Sequence, residues 1–481
     1  MPKTEPRHIS TLEKALAINL DSGRYGTFAE IGAGQEVVRW FFQAGGAAGT
    51  ISKSISAYDM QVSDAIYGTC QRYVSRDRLE AMLEYEQTLT RQRLDTRARS
   101  SCFFTFADTV SARNYLGTNE CHAWMGIRFQ TAPQTDDSVI IIHVRMLDDD
   151  NAAQQEALGV VGVNLIHGAY TLHQQPAELI ASLVDELSRD RVEIDMIDVS
   201  GPAFDNIDSR VLTLRLVELG LTGAAMFSAE GEVVQPSEAL RKRPLIVQRG
   251  RFRPVTLVNI DMLQSALKQF EQLCGPDAGE ILPIMEISMH NLLEESNICL
   301  EDFLSRAEAV STTGCMVMIS DFRQHHRLAA YLARYTDRPI GLAMGLGTLR
   351  RLFDEQYYID LDGGLLESFG RLFKEQLTLL IYPLKNEHTG KIENLESMEL
   401  DDSLQHLFTY LRQRQCIVSL EEFSQQHLDI HSPEVLRLIA TGSSDWMEMV
   451  PASVAARIVE KNLFGYTRRS RQRADAGKRS A

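Results

Sequence analysis

The 481 residues, at ~100 to 200 per domain, make two or three domains and exclude a single small module. Hydrophobic residues at 44% and charged residues at 24% exclude disordered, collagen-like and coiled-coil chains, so a sizeable core can be buried. The net charge of -16, from 49 Lys+Arg against 65 Asp+Glu, makes the bulk surface repel nucleic acid and anionic membrane.

The opening Met1-Pro-Lys-Thr-Glu-Pro-Arg-His is polar and lacks the apolar stretch of a secretion signal. Apolar runs such as Val139 to Ile142 fall far short of the ~20 residues a membrane helix needs, and the expected location is cytoplasmic. Seven scattered cysteines with no CxxC pair indicate reduced thiols rather than a disulfide framework or zinc site. No metal site is expected.

In chain order, Thr27 to Ile31 is strand-sized and runs into a Gly-rich loop. Asp77 to Arg99 carries Leu79, Met82, Leu83, Leu89 and Leu94 at near-helical intervals, which predicts a helix with one buried face. The runs Phe103 to Phe106, Met125 to Phe129, Val139 to Val144 and Val160 to Ile166 read as strands, two of them joined by the turn-like Pro133 to Asp137. A helix from Pro176 to Ser188, with Pro in its first turn, precedes a strand at Glu193 to Val199. Strands at Ala224 to Phe227, Leu245 to Gln248, Ile281 to Ile287, Met316 to Ile319, Ile340 to Met344 and Leu377 to Tyr382 then alternate with helical patterns.

The fold class this implies is α/β, a largely parallel sheet with covering helices, with a mixed α+β N-terminal part and a helical C-terminal cap. The limits read from the pattern are 1–100 for a helical, Gly-loop region, 101–240 for a mixed α/β domain and 241–400 for an α/β domain with phosphate-binding turns. A helical cap at 401–465 and a basic tail at 466–481 complete the chain. In the tail Arg468, Arg469, Arg471, Arg473, Lys478 and Arg479 oppose only Asp475, so any contact with nucleic acid is expected there.

The most informative segment is Leu245-Ile-Val-Gln-Arg-Gly-Arg-Phe-Arg-Pro-Val-Thr-Leu-Val-Asn, an apolar strand, a Gly turn and a helix start. Such a corner presents backbone N–H groups to a phosphate, and Arg249, Arg251 and Arg253 add cations. The spacing Gly250-x-Phe252-x-Pro254-x-Thr256 resembles the GxFxPxT/H signature of the nucleotidylyltransferases, in particular the nicotinamide and nicotinate mononucleotide adenylyltransferases. That resemblance implies ATP with Mg²⁺ as cofactor and a small-molecule nucleotide as partner. It implies phosphate contacts from Gly250, Arg251, Phe252 and Arg253, and catalytic roles for Thr256 and Asn259. Asn259 stands where the family has His, and Asn cannot carry charge or shuttle a proton.

Over a longer reach, Tyr25 to Val37, Ile55-Ser-Ala-Tyr-Asp-Met, His143-Val-Arg-Met-Leu-Asp, Gln154 to Gly159 and Arg249 to Thr256 resemble a bacterial family of similar length. Its members carry names such as nicotinate-nucleotide adenylyltransferase and TonB-dependent receptor; the second conflicts with a chain lacking an export signal and a series of lipid-facing strands.

A second loop, Phe28 to Val37, has Gly32 and Gly34 placed as in the first nucleotide loop of S-adenosylmethionine-dependent methyltransferases. That resemblance makes Asp59 the acid for ribose hydroxyls, although Val37 breaks the third Gly position. A third corner, Pro339 to Arg351 with Gly345, Gly347 and Thr348, could bind an anion or be an ordinary turn. His325-His326, Asp148 to Asp150, and Asp360 with Asp362 lack the partners of a metal motif. A nucleotidyltransferase, a methyl-donor enzyme and a non-enzymatic homo-oligomeric interaction protein all remain compatible with these residues.

Overall fold

The computed structural model describes residues 9–294, 297–374 and 376–467, and the expectations for the first eight residues and for the tail from Arg468 lie outside them. The chain divides into two compact units that meet at Thr222/Gly223. Among the described residues no helix is long and apolar enough to cross a membrane.

The first unit contains α1 (Thr11–Asn19), β1 (Arg24–Gly32), α2 (Val37–Ala44), β2 (Ile51–Ile55), α3 (Met60–Tyr67), α4 (Arg76–Arg93), β3 (Cys102–Ser111), β4 (His122–Phe129) and β5 (Ser138–Met146). It ends with α5 (Asn151–Thr171), α6 (Pro176–Ser182), β6 (Val192–Ser200) and α7 (Ser209–Glu218). The sheet order is β2-β1-β3-β4-β5-β6; β1 runs parallel to β2 and β3, and the remaining neighbours are antiparallel. Alternation along the strands sorts the faces. Phe28, Phe104 and Phe106 join Phe41 of α2 and the apolar side of α5 in one core, each ring adding roughly 1.5 to 3 kcal/mol by burial. Thr27 and Thr105 point the other way, to Thr90 and Gln87 of α4.

Val160 to Ile166, expected as a strand, lies inside α5 instead. The segment is buried around nearly its whole circumference, so it shows neither a helical stripe nor alternation, and a short apolar run of that kind fits both structures. Asp150 caps the helix by accepting from the Ala153 amide at 2.9 Å. The helix begun by Pro176 is also shorter than expected, ending at Ser182.

The second unit contains β7 (Ala224–Phe227), β8 (Val233–Val234), β9 (Leu245–Arg249), α8 (Leu257–Cys274), β10 (Leu282–Ser288), α9 (Leu300–Ser311), β11 (Met316–Ser320), α10 (His325–Ala333), β12 (Ile340–Gly345) and α11 (Leu346–Leu352). Then come α12 (Gly364–Leu372), β13 (Leu377–Tyr382), α13 (Asp402–Gln413), β14 (Ile417–Ser419), α14 (Ser432–Thr441) and α15 (Ala452–Lys461). The eight strands lie in the order β14-β13-β12-β9-β10-β11-β7-β8, parallel from β14 to β11, with β7 antiparallel to β11.

The chain therefore builds outward from β9 through β10 to β11, returns to the other side of β9 as β12, and continues to β13 and β14. This is the doubly wound order, and α/β with a largely parallel sheet is the observed class. Leu245, Val247, Ile284, Met318, Leu342 and Leu379 face the layer of α10, α11, α12 and α13. The C-terminal segment is mostly helical, as expected, yet it also supplies β14 at the sheet edge.

Candidate functional site

In an open α/β sheet, ligands bind outside the carboxyl ends of the strands where the strand order reverses, because the flanking loops part there. In the second unit that point lies between β9 and β12. Gln248 is in register with Ala343, so Gly250 and Gly345, each two residues further on, open the two loops side by side. Two of the three corners singled out in the sequence thus flank the reversal.

Its polar floor crosses three strands. Arg249 pairs with the buried Glu286 of β10 through Nε at 2.5 Å and Nη2 at 2.9 Å, and its Nη1 reaches the Arg323 carbonyl at 3.2 Å. Ser320 of β11 also donates to Glu286. His325, half-buried at the first residue of α10, has its pKa pushed down to about 3 by burial and by the nearby Arg249, Arg351 and His326. Arg351 donates to the Thr348 hydroxyl at 3.2 Å from α11. Arg249 and Arg351 therefore both lie near His325 at the reversal, Arg249 mostly buried and Arg351 exposed.

The other sequence-predicted residues are placed as follows. Gly250 lies under the Phe252 ring, where a Cβ would come within 2.7 Å. Phe252 is buried with φ 47°, so its ring is part of the loop's own packing. Arg251 is exposed, and its carbonyl accepts from Arg306 at 3.4 Å. Arg253 is tied to Asp302 at 2.6 Å. Thr256 and Asn259 form the cap of α8: the Thr256 amide and hydroxyl both donate to Asn259 Oδ1 at 2.9 Å. The two residues expected to be catalytic at this corner, Thr256 and Asn259, are thereby engaged in helix capping.

A second group at the same strand ends was not singled out in the sequence. Asp261 of α8 accepts from the Tyr382 hydroxyl at 2.5 Å and the Ser424 amide at 2.9 Å, and His427 Nδ1 lies 3.9 Å from its other oxygen. Burial and Asp261 push the Tyr382 phenol up. No local spacing joins residues 261, 382 and 427; only the sheet brings them together.

In the first unit the order reverses between β1 and β3, with Gly32 and Gly34 in the loop above. Gly32 has φ 82°, and a Cβ on Gly34 would stand 2.3 Å from Asp108 Oδ1. Directly below, Glu30 and Asp108 are register partners and both are buried. Glu30 accepts from the Val37 and Val38 amides at 2.9 and 3.3 Å, so the start of α2 already holds a carboxyl of this chain. Burial, against those hydrogen bonds, raises the Glu30 pKa to about 8. Burial and Glu30 hold Asp108 well above the usual carboxylate range. Asp59, at the end of the neighbouring β2 connection, caps α3 by accepting from the Gln61 and Val62 amides. The Gln35 side chain bonds Ser56 at 2.9 Å and links the two loops.

Of the metal-like pairs, His326 bonds the Ser368 hydroxyl at 3.0 Å, and Asp148 pairs with Arg191 at 2.9 Å. Among the described residues no three His, Cys, Asp or Glu side chains gather as a metal-holding group.

No protein-family model and no curated protein matches the chain. Solved structures that it resembles include the competence/damage inducible protein CihA from Agrobacterium tumefaciens, at 14% identity and a TM-score of 0.26, covering 34% of this chain and 96% of that one. A competence-damaged protein (CinA) superfamily protein from Klebsiella pneumoniae matches at 16% identity and 0.24, covering 33% and 94%. A protein of the same superfamily from Enterobacter cloacae matches at 14% and 0.24, covering 38% and 98%.

Proposed function

We propose that the second unit binds a small-molecule nucleotide by its phosphates, over the β9/β12 reversal. The observation that carries this reading is the placement of Arg249 at the end of β9, with His325 and Arg351 near each other at the start of α10 and in α11, where the doubly wound order turns back. Arg249 is fixed by Glu286 and the Arg323 carbonyl and places a guanidinium at the strand end; Arg351 sits on an exposed helix end and can swing onto an oxyanion. The reading is of binding rather than adenylyl transfer, because Thr256 and Asn259 are bonded to each other in the α8 cap.

Calorimetric titration with Mg²⁺-ATP, nicotinamide mononucleotide and inorganic phosphate tests it. A phosphate ligand should bind, and Arg351→Ala should weaken it about tenfold or more, the ~1.5 to 3 kcal/mol of a charge-assisted hydrogen bond. Absence of heat with all three, or equal affinity in the variant, would remove the reading.

A further inference from the structure

On the α4 side of the first sheet, three strands contribute to one hydrogen-bonded chain. Oδ1 of Asp195 in β6 lies 2.6 Å from Nδ1 of His143 in β5, and Nε2 of His143 lies 2.9 Å from Nδ1 of His122 at the start of β4. Asp195 and His143 are 0% and 1% exposed, whereas His122 is half-exposed. The pairing of β5 with β6 shifts register after His143, which takes Asp195 out of the regular ladder and lets it reach the ring. Trp124 packs on His143 with centroids 4.9 Å apart and fixes the imidazole plane.

With an ionised carboxylate at Asp195 and a neutral ring at His143, these contacts set the tautomers. An ionised carboxylate only accepts, so His143 carries its hydrogen on Nδ1, and neutral His143 offers Nε2 as an acceptor. His122 must then donate from Nδ1. That leaves an unprotonated Nε2 with no hydrogen-bond partner among the described residues. When Nε2 gains a proton, the Nδ1 hydrogen can cross to His143, and the positive charge comes to rest beside Asp195 without any heavy atom moving.

Charged groups near His122 come from several elements. Arg145 stands across from it on β5 and pairs with Glu193 of β6 and Glu120 of the preceding loop; Arg72 approaches from the segment before α4. Burial, His143 and these arginines hold the His122 pKa down at about 4, against the pull of Asp195.

We propose that His122 is an acid–base residue of the first unit, accepting at Nε2 a proton from a bound water or substrate hydroxyl, with His143 and Asp195 as its positioning residues. In the step the O–H bond breaks, its proton bonds Nε2, the electron pair stays on oxygen, and the proton later returns to solvent.

Reaction with diethyl pyrocarbonate, located by peptide mass spectrometry, reads the Nε2 lone pair. His122 should react at Nε2 with a rate that stays level from pH 8 to pH 5, where a free histidine loses reactivity as it protonates around pH 6.5. Asp195→Asn should slow it about tenfold or more by releasing the tautomer; an unchanged rate overturns the proposal. Nitrogen-15 NMR of the wild-type imidazoles provides a readout that needs no variant to fold. An Nδ1–H tautomer of His122 is expected, and an Nε2–H tautomer in the neutral ring overturns the proposal.

Discussion

Both units turn their strand order back at one place, and both set a Gly-containing loop above it, yet the floors of the two reversals have opposite chemistry. Under Gly32 and Gly34 lie two buried carboxyl groups, one of which already holds the amides at the start of α2. Under Gly250 and Gly345 lie Arg249 with its counter-ion, His325 and Arg351. A strand-turn-helix corner stands over the reversal in either unit. The residues on the last strand positions differ in charge, and the anion site we propose rests on the cations of the second floor.

The comparison breaks most severely at Glu286. Glu286→Ala leaves Arg249 largely buried without its carboxylate, and such a loss costs about 3 to 5 kcal/mol. Denaturation of the second unit, followed by a local probe, should show it; a change under about 1 kcal/mol would mean that Arg249 is fixed by other contacts.

The acidic floor should make the first unit less stable as pH rises. Glu30 has a folded pKa of about 8 against an unfolded value near 4.5, so between these limits the folded state binds more protons than the unfolded one. The stabilisation is present below about pH 4.5 and is lost as pH climbs toward 8, at up to ~1.4 kcal/mol per pH unit. Asp108→Asn, which removes the second buried carboxyl group whose pKa is raised on folding, should flatten that slope. Urea titrations from pH 5 to 8 measure it, and a rising stability over the same window contradicts the assignment.

Smaller effects separate the two loops. Gly34→Ala drives a Cβ into the Asp108 carboxyl and should cost about 1 to 3 kcal/mol. Gly345→Ala meets nothing within 4 Å, and φ of -75° at Gly345 suits any residue, so its cost should stay near 0.5 kcal/mol. Equal melting shifts in the two variants would remove this distinction.

The corners themselves were legible in the sequence. Leu245 to Gln248 and Ile340 to Met344 are apolar runs ending near glycine, which is how a strand buried on both faces reads before its turn. Their adjacency was not legible, because strand order depends on crossovers that local periodicity does not encode. Glu286 and Asp261 were not legible for the same reason: the partner of each is 34 or more positions away. His143 in Ile-Ile-Ile-His-Val and Asp195 in Ile-Asp-Met-Ile carried a usable signal, a titratable side chain in a strand core, where burial without a partner is costly. Asn259 shows the converse. Its spacing from Thr256 fits both a family signature and a capping box, and the structure shows the capping box.

Hydrogen–deuterium exchange of the whole chain with and without saturating Mg²⁺-ATP tests the contrast between the two floors most directly. The account predicts added protection at residues 250–256, 323–326 and 345–351, with residues 32–38 unchanged. Protection confined to residues 32–38, or absent from all four segments, would contradict it.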